Sequence, residues 1–244
     1  ELSERNLLSR LLMMEVGART RHLDPQSRTS IARTIRDAVR QGSIGEDGEV
    51  RELIRLAYDA IDHYADRLLL QRVSGYHAEP EVLARLSEEW VGAGGVLFVD
   101  YLQKVPVKTA RDDTERVLKV AESLKEVAMS QSVCVIAAAA VEAGTLGTRR
   151  LRLDHLRGSS LVAHEADVAM AMNEKSTALS KSHLAYDPHL YEASLNKVVF
   201  TIEKNREGPA MIHVEFDKEF SEYRFNPNGG YMTQRLVDDI FDEG

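Results

Sequence analysis

The chain of 244 residues holds a single cysteine, Cys134, and no long apolar run. One cysteine excludes an intramolecular disulfide, a four-cysteine zinc site and an iron–sulfur cluster, and points to a reducing compartment, with the cytoplasm as the expected location. No stretch of about 18 apolar residues exists for a membrane-spanning helix, and the opening ELSERN lacks the basic and apolar regions of a signal peptide. Positive charge is scarce as well. With 31 Lys+Arg against 39 Asp+Glu the formal charge is -8, so any nucleic-acid contact must be concentrated in a local basic segment. The phosphate-cradling string Gly-x-x-x-x-Gly-Lys-Ser/Thr occurs nowhere, and neither does a Gly-x-Ser-x-Gly elbow. His183, Asp187 and His189 share a polar segment that reads as surface rather than as a metal site.

What is present is periodic. Leu7, Leu8, Leu11 and Leu12 mark a first helix ending near Gly17, and Asp24-Pro25 is an N-cap with proline at the first helical position, opening a helix whose face is Ile31, Ile35, Ala38 and Val39. After a glycine-bearing loop at 42–48, Val50, Leu53, Ile54, Ala57 and Ile61 mark a third helix. The period then changes: Leu68 to Leu70 with Val73 reads as a short strand, 80–91 as a helix, and 95–99 as a fully apolar, buried strand ending in Asp100. A helix from Val117 to Ala128 is followed by strands at 133–139 and 168–172. Strands separated by helices predict an α/β fold with a mostly parallel sheet flanked by helices.

Val198 to Ile202 and Met211 to Phe216 around Glu207-Gly208-Pro209 predict a β-hairpin extending the sheet. Residues 176–195 read as a long polar surface loop. In the tail, 226–244, Leu236, Val237, Ile240 and Phe241 predict a short amphipathic helix packing on its own chain.

In open α/β sheets ligands sit beyond the carboxyl ends of the strands, so Asp100 is a candidate for holding a metal ion or its waters. The segment 149–157 carries Arg149, Arg150, Arg152 and Arg157 against Asp154, a local net charge of +3 in an acidic chain. Such a loop suits a phosphodiester backbone, held without reading bases.

The string Val96-Leu97-Phe98-Val99-Asp100-Tyr101-Leu102-Gln103 resembles the Walker B segment of DnaB-type replicative helicases. Three further segments agree in order. Glu1-Leu2-Ser3 with Leu7, Arg10 to Leu12 and Glu15 is similar to the family's Glu-Met-Ser segment. Leu156-Arg157, Ser159 and Ala166-Asp167 resemble its DNA-facing loop, and Lys204-Asn205-Arg206-Glu207-Gly208 with Phe216-Asp217 and Phe220 its basic hairpin.

The resemblance implies a RecA-like motor domain over 1–225, with 226–244 as a C-terminal tail, that hydrolyses ATP with Mg²⁺ at the subunit interfaces of a ring, expected to be hexameric, to move on single-stranded DNA. It implies Glu1 as the group activating water, Asp100 as the Mg²⁺ ligand through water, and Lys204 and Arg206 as phosphate-contacting groups reaching a neighbouring subunit. Arg149, Arg150, Arg152 and Arg157 would contact DNA, and primase or a helicase loader are the implied protein partners.

Two departures stand out. Ala140 occupies the place of a glutamine that senses the γ-phosphate, and Gly158 and Ser160 replace the usual Glu and Gly of the DNA loop. With the missing phosphate loop these leave two alternatives open, a RecA-fold ATPase of recombination or regulation and a catalytically inactive ring component. Truncation of a longer protein is the simpler expectation for the missing loop.

Overall fold

The computed structural model describes residues 4–41, 48–71, 79–145, 147–157, 161–179 and 188–237. The chain divides into two compact units, residues 1–72 with 217–228, and residues 73–216 with 229–244.

The first unit is built on α1 (Glu4–Arg19), α2 (Pro25–Gln41) and α3 (Gly48–Ala65). Asp24 caps α2 as its sequence predicts, its Oδ1 accepting from the amides of Gln26 and Ser27 at 2.9 and 3.0 Å. Leu12, Met13 and Val16 meet Ala32 and Ile35 of α2 and Val50, Ile54 and Ala57 of α3 in one apolar core. Helix α1 runs past Gly17, where the sequence predicted its end. Gly17 serves close approach instead: a Cβ there would lie 2.3 Å from Oε2 of Glu222.

Glu222 is the centre of a buried charge network. Arg28 donates through Nε to its Oε1 at 3.0 Å and through Nη2 to its Oε2 at 2.5 Å, and also pairs with Glu219 at 3.0 Å. Arg224 pairs with the other oxygen of Glu219 at 3.0 Å and donates to the carbonyl of Met14 at 3.2 Å. Both carboxylates are almost wholly buried, which is tolerable only because each is paired. The strand expected at Leu68 to Leu70 is absent: the chain turns after α3, and Leu68 and Leu70 line an apolar hollow with Leu11 and Phe225. Val73 lies outside the described residues.

In the second unit α4 (Pro80–Leu86), extended by a π turn over Ser87–Val91, precedes β1 (Val96–Val99), α5 (Asp113–Gln131) and β2 (Cys134–Ala137). The two strands are parallel, in register from Val96 opposite Cys134 to Val99 opposite Ala137, with α5 as the connection. Leu83, Leu102, Val117, Val120, Leu124 and Val162 form the core, with Leu97, Val99 and Val135 packed on it. The described residues cover only one face of β1. Phe98 is 72% exposed, so the apolar run read as a fully buried strand alternates between a packed and an open face.

Strand β3 (Val168–Glu174) pairs antiparallel with β4 (Lys197–Asn205), and the order continues through β5 (Ile212–Glu219) to β6 (Arg224–Phe225), with β7 (Gly230–Tyr231) also on β5. The expected hairpin is therefore present as β4 and β5. Parallel pairing, expected to dominate the sheet, is confined to β1 and β2 among the described residues, because short helices at Lys175–Ala178 and Pro188–Ser194 return the chain to pair β4 beside β3 in the opposite direction. The same helices replace part of the polar loop expected at 176–195; residues 180–187, with His183 and Asp187, lie outside the described residues.

The tail packs at home, though not as a helix at Leu236. That residue is fully buried with Ala178 and Val199, bridges Leu179, and is followed by a Val237 amide donating to the carbonyl of Ala178 at 2.8 Å. Ile240 and Phe241 lie outside the described residues.

Removing one partner of a buried ion pair leaves the other charge uncompensated, so Glu222→Ala should lower unfolding free energy by about 3 kcal/mol in urea titrations. Arg55→Ala, which removes exposed pairs with Glu52 and Asp59, should have a far smaller effect. Equal losses in the two variants would contradict the special weight given to the buried network.

Candidate functional site

Asp100 directly follows β1, at the carboxyl ends of the parallel pair. Its side chain is exposed and has no hydrogen bond or ion pair among the described residues. The backbone around it is fixed: the amide of Ala138 donates to the carbonyl of Val99 at 2.9 Å and that of Leu102 to the carbonyl of Ala138 at 2.9 Å. A free carboxylate on a rigid strand end suits Mg²⁺, which is held by one or two carboxylates together with phosphates and waters. Among the described residues no group of three or more His, Cys, Asp or Glu side chains could hold a metal by themselves.

Three residues beyond Asp100, Gln103 is buried and uses both ends of its carboxamide. Its Nε2 donates to the carbonyls of Ala140 and Arg157 at 3.1 and 3.0 Å, and its Oε1 accepts from the amide of Ala140 at 3.0 Å. The Arg157 amide donates to the carbonyl of Ala140 at 3.0 Å, closing the set. Further out, the Glu142 amide donates to the carbonyl of His155 at 2.9 Å, and Val141 bridges Leu156. The segment after β2 thus leaves and returns beside Asp100's own loop, with its basic residues between.

Those residues have separate settings. Arg157 is half exposed and pairs with Asp113 at 3.2 Å. Arg152 pairs with Glu203 at 2.8 Å, and Arg149 donates to the carbonyl of Leu179 at 2.8 Å. Arg150, one of the four singled out in the sequence, is only 2% exposed and donates to the carbonyl of Val237 at 2.9 Å, placing it within the packing of the tail. The charge of this segment is therefore less open than its composition implies.

Lys204 and Arg206 come together at the end of the short helix Val162–Glu165. Lys204 Nζ donates to the carbonyls of Ala163 and His164 at 2.8 and 2.9 Å, a favourable place for a cation at a helix C-terminus. Arg206 pairs with Asp167 at 3.0 Å, and Asp167 also pairs with Lys125 at 2.6 Å. The Lys125 hydrogen bond, with the charges of Lys125, Arg206 and Lys204 behind it, holds the Asp167 carboxyl below the usual carboxylate range against a smaller desolvation cost. Neither Lys204 nor Arg206 touches Asp100 within the chain. Glu1, Gly158 and Ser160 lie outside the described residues.

Reasoning from sequence missed two partners, Asp113 for Arg157 and Lys125 for Asp167, which are 44 and 42 residues away from them. No local signal marks such pairs. The clamp by Gln103 had a signal, a polar side chain inside a string that is otherwise apolar beyond Asp100.

The fold is that of a RecA-like α/β domain. The profile of the DnaB-like helicase C terminal domain matches residues 1–225, and the chain belongs to that family. Among solved structures, one ATPase domain aligns with a TM-score of 0.68 at 19% identity, over 92% of this chain and 71% of the other. A DnaB-like replicative helicase, solved with attention to its interactions with primase, aligns with a TM-score of 0.64 at 18% identity, over 91% of this chain but about half, 48%, of the other. At these identities the likeness concerns the fold. None of the curated proteins matches the sequence.

Replacing Gln103 by Leu leaves partly buried backbone groups of Ala140 and Arg157 short of partners, each at about 1–3 kcal/mol. The expected result is a loss of roughly 2–3 kcal/mol in stability and faster hydrogen exchange at the amides of Ala140 and Arg157; unchanged exchange at both would refute the clamp.

A second expectation concerns pH. Because Asp167 has a lowered folded-state pKa, its pairing contributes stability that is fully present above the unfolded value of about 3.9 and is lost as pH falls through the lower folded value. The stability difference between the wild type and Asp167→Asn should therefore be constant above about pH 4 and close below it, as read from denaturation series across pH.

Proposed function

We propose that this chain carries the motor fold of an ATP-driven DNA helicase that works as a ring, expected to be hexameric, with nucleotide between subunits and single-stranded DNA on the arginine loop. The observation that carries this reading is the pair of features joined by Gln103: an unpartnered carboxylate at a strand end, Asp100, and a loop that presents Arg157. Membership of the DnaB-like helicase family supports it.

The residues fit Mg²⁺ and ATP in part. Asp100 would hold Mg²⁺ through water, and the ion would supply neutralisation of charge on the β- and γ-phosphate oxygens. The backbone cradle for those phosphates is not among these 244 residues, since no Gly-x-x-x-x-Gly-Lys-Ser/Thr is present.

Arg206 would serve a neighbouring subunit's nucleotide by exchanging Asp167 for phosphate, one anion for another, and Lys204 would leave its carbonyl partners to add a second positive charge. Glu1 would orient and deprotonate the attacking water. On the DNA side, Arg157, Arg149 and Arg152 can each exchange a protein acceptor for a phosphodiester; Arg150 would have to leave its buried setting to join them. Backbone contacts of this kind grip without reading sequence. Primase or a loader is the protein partner this reading calls for, and a cytoplasmic setting agrees with it; no helix of the described residues is long and apolar enough to cross a membrane.

Without the cradle, residues 1–244 alone should not reach a turnover of about 1 s⁻¹. Hydrolysis at that rate, abolished by Asp100→Asn, would show that another phosphate grip exists. In rings that carry the phosphate cradle Arg206→Ala should cut turnover by about 10³-fold, and rings mixed from Arg206→Ala and Asp100→Asn subunits should regain activity at the junctions that keep both groups. Proven mixed rings without recovery would count against a site shared between subunits. On single-stranded DNA, each lost phosphate contact should make the log-log salt slope shallower by about 0.7. Arg157→Ala should do so for all sequences alike, and an affinity and slope unchanged by joint replacement of Arg149, Arg150 and Arg157 would remove this loop from the DNA site.

A further inference from the structure

In the first unit a separate cavity of about 240 Å³ lies among α1, α2 and the turn at Tyr223. Its charged lining has one sign. Arg10, Arg36 and Arg40 border it, and among the described residues no carboxylate does. None of the three makes an ion pair among the described residues, whereas Arg19, Arg28, Arg55 and Arg224 of the same unit all do. The contrast is sharp in a chain of net charge -8, where acids are in surplus. Arg36 and Arg40 are four apart on α2, a spacing at which like charges repel.

Two further details show that Arg36 and Arg10 are held, not merely solvated. Arg36 Nε is closed off from solvent and has no acceptor, and its terminal Nη2 reaches only the Ser221 carbonyl at 3.5 Å. Arg10 stacks on the Tyr223 ring with Cζ 5.1 Å from the centroid, which restricts the plane in which it can donate. A buried donor without an acceptor, beside converging positive charge, is the arrangement an anion would relieve.

We propose that this cavity is a binding site for a phosphoryl anion of the size of a diphosphate group, distinct from the strand-end site. Guanidinium forks match phosphate oxygens in pairs, and three of them around one hollow recognise a multiply charged tetrahedral group better than a single carboxylate. The volume lies below the roughly 300–1,000 Å³ of sites that enclose drug-sized ligands, so the cavity takes the diphosphate and not the rest of a nucleotide. The group can come free, as pyrophosphate, or as the end of a nucleoside diphosphate whose base and ribose stay outside.

The test uses residues 1–244, titrated calorimetrically with pyrophosphate and separately with ADP against chloride at matched ionic strength. Wild type should bind pyrophosphate saturably, and Arg36→Met and Arg40→Gln should each weaken binding by about tenfold or more. Arg40 is exposed, so its replacement leaves the fold intact and the result interpretable even if Arg36→Met is unstable. ADP binding with the same dependence on both arginines assigns the site to a nucleotide's diphosphate, and pyrophosphate binding alone assigns it to the free anion. No saturable binding below roughly 10 mM, or affinity for pyrophosphate unchanged by Arg40→Gln, overturns the proposal. No hydrolysis is read, so the outcome is independent of the motor reading.

Discussion

Gln103 spends both ends of one carboxamide on backbone, and three segments of chain take their places from it. Its own segment leaves β1 beside Asp100, Ala140 follows the end of β2, and Arg157 closes the arginine segment. A side-chain amide offers two donors and an acceptor, so it can stand in for a peptide group where no strand continues. Made by a buried side chain, those bonds cannot be replaced by water without a cost, which makes the spacing of the three segments stiff. A shift of the Asp100 loop would therefore be felt at Arg157 through two hydrogen bonds. On the proposed reading, this short polar bridge, set on the apolar packing of Leu102, Val117 and Val162, would link a nucleotide end to a DNA loop.

Around the bridge, positive charge is kept paired. Arg157 has Asp113, Arg152 has Glu203, and Arg206 has Asp167, which Lys125 shares. In an acidic chain this pairing keeps guanidiniums from attracting anions indiscriminately. It also makes binding of a phosphate an exchange of one anion for another, with little net desolvation of the arginine. The first unit handles charge in two ways: Glu222 and Glu219 bury their charges against Arg28 and Arg224, while Arg10, Arg36 and Arg40 are left without carboxylates.

Much of the site was legible where the signal is local. The Asp24 cap, the run from Val96 to Asp100, the periodic face of α5 and the β4–β5 hairpin all follow from neighbours in sequence, and the structure has each of them. Where distant partners decide, the sequence misleads. Gly17 reads as a stop because glycine ends helices, yet it admits the Glu222 carboxylate from 205 positions away in the numbering. Leu68 to Leu70 reads as a strand because it is apolar, yet it pairs with no strand among the described residues. Arg150 belongs by composition to a basic loop but by packing to the tail, through the Val237 carbonyl. Four ordered motifs placed the chain in its family more firmly than any of these elements placed itself.

On the proposed reading Asp100 and Arg157 are two ends of one device, the first at nucleotide and the second at DNA. The most direct measurement is a structure of the complete ring with a non-hydrolysable ATP analogue, Mg²⁺ and an oligothymidine. The account predicts the Asp100 carboxylate against a water of the bound metal, Arg157 released from Asp113 onto a phosphodiester oxygen, and the Gln103 bridge unbroken between them. DNA running clear of residues 147–157, or a metal held without Asp100, would contradict it.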